Sequence, residues 1–408
     1  MNVAVSDRPA AIAYFRGEGN CHIVIGFERN GARYVWRVRK TFSTDDDENY
    51  YEMSDNTTFC FVMSRLFKRH VVAVPQLISL DVSLLESVPH FQRHPVSVAR
   101  QTSESTVYAM ELPDLCYFTE FSPESMSNTV TVEIKPKQGF FPLSLRRVSP
   151  YCSNCLLQMV KSRNGTYESM YDFCPLDLYS LDFKRVHHAV KSLVKIPHAN
   201  MKVFKNGQLV HSSQQTVANP TDLDKLFGHR CVNGIAQGED FAKLIAKILT
   251  CNYVEDPDDS ECLVPNIPLL QYMLLLQKRD IEGPFAISKC FKELMKRSED
   301  AGTASDPTRI FQNTPASVRA NALRSMITAS LRDCSIMITM KIFLRKPQTS
   351  KLPALELPCG CFVVYRMRLI DLDYKSPAKL VSYASRLEDA LKLVNESNWK
   401  TKRPPCVP

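Results

Sequence analysis

Thr131 to Gly139 reads TVEIKPKQG, a β-prone stretch that breaks on a proline set between two lysines. Val132 and Ile134 alternate with Glu133 and Lys135, so an extended segment here has one apolar face and one face of opposite charges. Pro136 fixes the backbone and biases Lys135 toward an extended conformation, and Gly139 permits a turn. Lys135 and Lys137 then leave the strand end on one side, because side chains two apart share a face. Two neighbouring ammonium groups suit a phosphate; the same spacing also fits an exposed edge strand with solvated lysines.

Upstream, residues 10 to 40 alternate strand and turn: AIAYF, RGEGN, CHIVIGF, then ERNGAR and YVWRVRK. Asn30-Gly31 is a strong hairpin signal. Gly17 and Gly19 would let backbone N–H groups approach a polyphosphate, although two glycines also make an ordinary tight turn. Arg37 and Arg39 share a face opposite Trp36 and Val38. The acidic residues 41 to 56 read as a surface loop, followed by a helix over 58 to 68 and a strand over 71 to 74. Residues 86 to 105 read as loop, with His90 and His94 as surface histidines. The strand TVYAMEL ends at Pro113-Asp114.

In the second half, Leu181 to Lys195 reads as an amphipathic helix, residues 208 to 320 carry several helical stretches, and ASVRANALRSMITASLRD is helical. Asp333 follows at a helix-to-strand junction, where it suits either a proton acceptor or a turn cap. Further on, Asp371 and Asp373 fall on one face of a strand end, an arrangement of hard oxygen donors that suits magnesium. Cys152-x-x-Cys155 with Cys174 downstream has the shape of a zinc knuckle, and equally of plain reduced cysteines.

Six separated blocks appear in one order: RGEGN, EIKPKQG, CPLDLYS, VFKNG, RDCSIMI and LIDLDYK. Together they resemble the inositol pentakisphosphate 2-kinases, which transfer the ATP γ-phosphate to the 2-hydroxyl of inositol 1,3,4,5,6-pentakisphosphate. The resemblance implies an α+β, bilobal, kinase-like fold. Residues 1–113 would form a small, mainly antiparallel N-terminal lobe, and residues 114–408 a larger α+β C-terminal lobe with an inositol-phosphate-binding helical region. It implies Asp333 as catalytic base, with Lys135 acting on the transferred phosphate. ATP would meet Arg16, Gly17, Glu18, Gly19, Asn20, Arg37, Glu133 and Lys135, with adenine at the backbone from Glu111 past Asp114. Asp371 would hold magnesium, with Asp373 in support. The substrate's phosphates would meet Lys137, Lys161, Asn200, Lys202, Lys375, Lys379 and Tyr383. A structural zinc at Cys152, Cys155 and Cys174 is also implied, with His187 or another residue as fourth ligand. Where the family often carries an arginine between the first two cysteines, this chain has Ser153 and Asn154; Arg146, Arg147 and Arg163 are candidate replacements. Lys379 stands where plant relatives commonly have arginine.

Composition sets the outer bounds. The chain has 408 residues, 44% hydrophobic and 23% charged, ordinary values that favour neither disorder nor a membrane class. Its start lacks a basic segment leading into an apolar run, so we expect a protein of the cytosol or nucleus, with its 14 cysteines reduced. A net charge of +8 suits nucleic acid or a small polyanion, but no stacking aromatic motif interleaves with the basic residues, so nucleic acid is not an expected partner. We expect a monomer that does not enter a membrane. No PxxxDxKxG block is present, which argues against inositol polyphosphate kinases of other positional specificity. The competing reading from another class is a catalytically inactive polyanion-binding module, which would not need Asp333 and Asp371 together.

Overall fold

A computed structural model describes residues 4–5, 13–19, 22–40, 46–68, 70–88, 106–118, 121, 127–168, 170, 172–213, 220–227, 241–253, 266–300, 316–347, 350–396 and 403–408. Asn20, His90 and His94 lie outside them. Among the described residues there are two six-stranded sheets, each antiparallel apart from one parallel pair in the first. The α+β expectation is met.

The first sheet comprises β1 (Ala4–Val5), β2 (Tyr14–Glu18), β3 (His22–Arg29), β4 (Ala32–Arg39), β5 (Gln76–Asp81) and β6 (Thr106–Pro113), in the order β1-β5-β6-β4-β3-β2. The β3–β4 hairpin closes where expected. Asn30 and Gly31 both sit in the left-handed region, at φ 52° and 75°, as a two-residue hairpin turn of matching twist requires. Phe27 stacks on Trp36 with ring centroids 4.0 Å apart in the core of this sheet, and the indole N–H donates to Glu111 at 3.0 Å.

Two readings of this half are corrected. Of the acidic stretch 41 to 56 taken for a loop, 41 to 45 lie outside the described residues and the rest is the first part of a helix, α1 (Asp46–Ser64); acidic residues are favoured in a helix's first turn, where backbone N–H groups point outward. The strand expected at 71 to 74 is reduced to a single bridge, Val72 to Leu369, and the continuous strand comes later as β5. A short helix, α2 (Val82–Glu86), follows, capped by Asp81, whose carboxylate accepts the Ser83 N–H at 2.8 Å.

The second sheet comprises β7 (Val130–Ile134), β8 (Met201–Lys205), β9 (Gln208–His211), β10 (Ser335–Phe343), β11 (Ala354–Glu356) and β12 (Phe362–Ile370), in the order β11-β12-β10-β7-β8-β9. Around it stand α3 (Leu143–Arg146), α4 (Ser153–Arg163), α5 (Pro175–Leu178), α6 (Phe183–Lys195), α7 (Phe241–Thr250), α8 (Leu269–Gln277), α9 (Pro284–Asp300), α10 (Ala316–Asp333) and α11 (Pro377–Glu396). Helix α6 starts where Asp182 accepts the Arg185 N–H at 3.0 Å, and it buries Val186, Ala189, Val190 and Leu193. The largest core gathers these with the inward faces of β7, β10 and β12 and the apolar side of α7 and α8. β10 is buried along almost its whole length, as a central strand covered on both faces must be. No helix among the described residues is long and apolar enough to cross a membrane.

Candidate active site

Three neighbouring strand ends converge. β10 lies between β7 and β12, with Ile336 opposite Ile134 and Leu369. The residues just outside these ends, Lys135 to Lys137, Asp333 and Asp371 to Asp373, are therefore brought together by register. Two of them have left-handed backbones, Lys137 at φ 63° and Asp371 at φ 61°. Such a conformation costs a residue with a side chain about 1–3 kcal/mol and is held only where surrounding contacts dictate it.

The contacts that hold Lys137 come from α8. Gln277, fully buried at its end, donates to the Lys137 carbonyl at 3.0 Å and accepts the Gly139 N–H at 2.8 Å. Gly139 has no substitute here, because a Cβ would lie 2.2 Å from the Tyr179 ring.

Around Asp333 the charges are mixed. Its carboxylate lies 3.7 Å from Lys137 Nζ, 3.7 Å from Lys375 Nζ and 3.9 Å from Arg332 Nε. Burial raises the Asp333 pKa, but Arg332, Lys137, Lys375 and Lys135 together hold it well below the usual carboxylate range. Burial also pushes the Lys137 ammonium down to about 8, with Asp333 opposing and Lys135, Arg332 and Lys161 adding to the fall.

A second carboxylate centre sits one strand away. Asp371 and Asp373 both pair with the Arg37 guanidinium, at 3.0 and 3.5 Å. Thus Arg37, expected at nucleotide phosphates, here bridges from the first sheet to the two carboxylates expected to bind metal. Burial opposes ionisation of Asp371, and Arg37, Lys135, His22 and Lys202 overcome it, so its pKa is lowered. Burial and then Arg37 push His22 down to about 4. Partial burial lowers the Lys135 pKa, yet Asp371, Glu133 and Asp333 raise it overall. Ser335 Oγ donates to Glu133 at 2.9 Å and Lys202 Nζ lies 3.8 Å from the same carboxylate. Asp371 and Asp373, both within reach of the one Arg37 guanidinium, offer hard carboxylate oxygens of the kind that magnesium takes.

The remaining expected residues fall around these centres. Arg16, at a bulge in β2, pairs with Asp114 at 3.2 Å, and Glu18 pairs with Lys40 at 2.8 Å. A Cβ on Gly17 would meet nothing within 4 Å, and one on Gly19 only the His22 carbonyl at 4.0 Å, so the space beside both is open. Glu111 is buried and committed to Arg29 at 2.6 Å as well as to Trp36; its backbone lies between β4 and β5. The Asn200 carbonyl accepts the Lys135 N–H at 2.9 Å. Lys161 is exposed at the end of α4, its Nζ 3.4 Å from the Tyr167 hydroxyl. Lys379 and Tyr383 lie on α11 and line one cavity with Asp333 and Lys375.

Of the candidate arginines, Arg163 donates to the Leu393 carbonyl at 2.9 Å, Arg146 and Arg147 are exposed on and beside α3, and none of the three lines this cavity. Ser153 and Asn154 are buried, with Ser153 Oγ bonded to Gln138 at 3.3 Å. Sequence reasoning missed Arg332 and Arg386, which do line the cavity. The signal for Arg332 was its adjacency to Asp333.

Away from these centres, the cysteine cluster gains its fourth member from the C-terminus. The Sγ atoms of Cys152, Cys155, Cys174 and Cys406 all lie within 4.8 Å of one another. His187 instead stacks on Phe183 and is not part of the group. Cys152 and Cys174 Sγ are 3.9 Å apart; sulfurs on a tetrahedral zinc with bonds of about 2.3 Å stand about 3.8 Å apart. Four thiolates in a closed, largely buried set fit structural zinc.

The profile of the family described as inositol-pentakisphosphate 2-kinase matches residues 15–389. The zebrafish (Danio rerio) inositol-pentakisphosphate 2-kinase is 33% identical over 143 residues, 33% of this chain and 30% of that protein. The Arabidopsis thaliana inositol-pentakisphosphate 2-kinase is 23% identical over 447 residues, 94% of this chain and 93% of the relative. The Drosophila melanogaster protein of the same name is 27% identical over 131 residues, 25% of this chain and 21% of its own. The matched stretches of the zebrafish and fly relatives thus span less than a third of those proteins, whereas the plant match is end to end. Because the profile runs unbroken from the strand that carries Arg16 to the helix that carries Tyr383, this chain belongs to the inositol-pentakisphosphate 2-kinase family.

Proposed function

We propose that this protein transfers the γ-phosphoryl group of ATP to the 2-hydroxyl of inositol 1,3,4,5,6-pentakisphosphate, giving inositol hexakisphosphate and ADP. The observation that carries the reading is the pairing of two carboxylate centres on adjacent strand ends, each with its own cations. Asp333 has Lys137 and Lys375; Asp371 has Arg37 and the nearby Lys135. One centre suits the acceptor and the other the nucleotide.

Asp333 is ionised in the free site, and its low basicity is set by the surrounding ammonium groups. Substrate phosphates binding those cations compensate their charge and return basicity to the carboxylate. Asp333 then accepts the proton of the 2-hydroxyl as that oxygen bonds to the γ-phosphorus, and the bond from that phosphorus to the β-γ bridging oxygen breaks, leaving the charge on ADP. Lys137, Lys161, Asn200, Lys202, Lys375, Lys379 and Tyr383 hold the acceptor; Lys135 and the open strip beside Gly17 and Gly19 hold the nucleotide phosphates. Asp371, with Asp373, would hold magnesium, which would supply positive charge against the phosphates of the nucleotide. Arg37 must exchange its carboxylate partners for phosphate when metal and nucleotide enter. Most of the rate enhancement comes from positioning and charge stabilisation rather than covalent chemistry.

We further propose one zinc at Cys152, Cys155, Cys174 and Cys406.

The test is phosphate transfer from labelled ATP to the pentakisphosphate with magnesium. We expect hexakisphosphate from the native chain and at least a 100-fold fall in kcat for Asp333→Ala and for Asp371→Ala, with unchanged far-UV dichroism. Pentakisphosphate bound without turnover by the native chain would instead favour the inactive binding module.

A further inference from the structure

The cavity beside Asp333 has a volume of about 370 Å³, in the range of small-molecule sites. Arg332, Lys375, Lys379 and Arg386 line it, against Asp333 as the one lining carboxylate. A wall of that charge is costly unless an anion completes it.

Arg332 is the member whose surroundings are built for a ligand. Although charged, the residue is only 9% exposed. Its guanidinium carbon lies 3.5 Å from the centroid of the Tyr383 ring, a stacking that fixes the plane of the fork and leaves its edge for hydrogen bonding. Its Nε is buried with no hydrogen-bond partner among the described residues, and the nearest carboxylate oxygen, on Asp333, is 3.9 Å away, beyond hydrogen-bond reach. Burying such a donor unpaired is unfavourable, so the site as folded lacks an acceptor. Tyr383 is itself held rigidly: with Leu387 and Ala390 of α11 it packs on Leu156 and Met159 of α4. The Arg386 guanidinium carbon lies 5.7 Å from the same ring, more exposed and at the cavity rim.

We propose that Arg332, stacked on Tyr383 and seconded by Arg386, is the principal phosphate-binding fork of the acceptor pocket and sets which pattern of inositol phosphates is accepted. The inference rests on the proposed function for the identity of the ligand, and on the geometry for the residue. Lysines at 375 and 379 supply charge without direction; the planar fork adds two parallel donors that recognise a phosphate's position as well as its charge. The competing role for Arg332 is to act only through Asp333, as a counter-charge. That role would alter kcat and the acid side of the pH profile, not the affinity for substrate.

The decisive experiment is calorimetric binding to the 408-residue chain without nucleotide, which needs no turnover. Ligands are inositol 1,3,4,5,6-pentakisphosphate and the five tetrakisphosphates that each lack one of its phosphates. We expect Arg332→Ala to weaken pentakisphosphate binding about 10- to 100-fold, the size of a lost charge-assisted pair of hydrogen bonds. Arg332→Lys should lose several-fold, and Arg386→Ala less. KM for ATP should stay within about twofold. One tetrakisphosphate should bind Arg332→Ala and the native chain equally, because the phosphate it lacks is the one the fork grips. Pentakisphosphate affinity unchanged in Arg332→Ala, with kcat reduced, would overturn the proposal. Should Arg332→Ala fail to fold in a thermal melt, unchanged affinity in both Arg332→Lys and Arg386→Ala would overturn it as well. A native chain that binds the pentakisphosphate through Arg332 but makes no hexakisphosphate would refute the proposed reaction and leave this inference standing; one that does not bind it at all would refute the inference.

Discussion

Lys137 shows how much of the chemistry rests on single residues. Its left-handed backbone turns the chain after Pro136 so that a half-buried ammonium group near three other cations, Lys135, Arg332 and Lys161, faces Asp333. With its pKa pushed down to about 8, it is a cation below that pH and neutral above it. The two consequences have opposite signs. Between about 8 and the ordinary 10.5 the unfolded chain binds the proton that the folded chain releases, so this residue makes folding more favourable as pH rises. Phosphate binding, in contrast, weakens over the same interval. We therefore expect kcat/KM for the pentakisphosphate, which reports the free enzyme, to fall above about pH 8 while the urea midpoint does not. Lys137→Arg, whose guanidinium does not titrate there, should flatten the fall; comparing both enzymes on one substrate cancels the titration of the ligand itself. An unchanged alkaline limb in Lys137→Arg would assign it to another group.

Among elements, the junctions were the legible part of the sequence and the contacts between them were not. Helix α10 was readable because its apolar positions run unbroken into Asp333 and the β-branched run of β10. The β3–β4 hairpin was readable because Asn-Gly has few other uses. Helix α1 was misread because acidic residues were taken as solvated loop, when at a helix start they are favourable. Gln277 could not have been found: a glutamine ending an apolar helix carries no sign that its amide will reach a lysine carbonyl 140 residues away. Its role nevertheless has a measurable consequence. Gln277→Ala would leave the buried Gly139 N–H unpaired and release the turn that places Lys137. We expect it to lower stability by about 1–3 kcal/mol in denaturant titration and to reduce kcat by a larger factor than it raises KM for ATP. Gln277→Glu, which would set a fully buried carboxylate against the Lys137 carbonyl, should be no less destabilising than Gln277→Ala.

Across the whole molecule the C-terminal segment closes back on the middle of the chain. Cys406 Sγ accepts the Cys152 N–H at 3.3 Å, 254 residues away in sequence, and the Cys406 N–H donates to the Pro150 carbonyl at 3.0 Å. Arg403 donates to the Phe173 carbonyl at 2.9 Å, and the Tyr151 hydroxyl donates to the Arg403 carbonyl at 3.2 Å. Local spacing showed three cysteines of a zinc knuckle; the fourth was out of reach because ligand spacing reports only nearby closures. The closure matters to the site because Cys152 caps α4, the helix whose last turn carries Lys161 and whose Ser153 bonds Gln138, next to Lys137. A metal bound only by the folded chain stabilises it by RT ln(1 + [L]/Kd), about 2.7 kcal/mol at a hundredfold excess over Kd. We expect the purified protein to carry one zinc per chain by elemental analysis and to lose it on Cys406→Ser or on removal of residues 403–408. Hydrogen exchange should then quicken at the start of α4 and in the 172–174 segment, with the β3–β4 hairpin unaffected. Metal-free native protein with the same melting temperature and the same exchange in α4 would show that the four thiols pack as a plain apolar cluster, and that hydrogen bonds such as those of Arg403, Tyr151, Arg185 and the Cys406 N–H hold the tail without a metal.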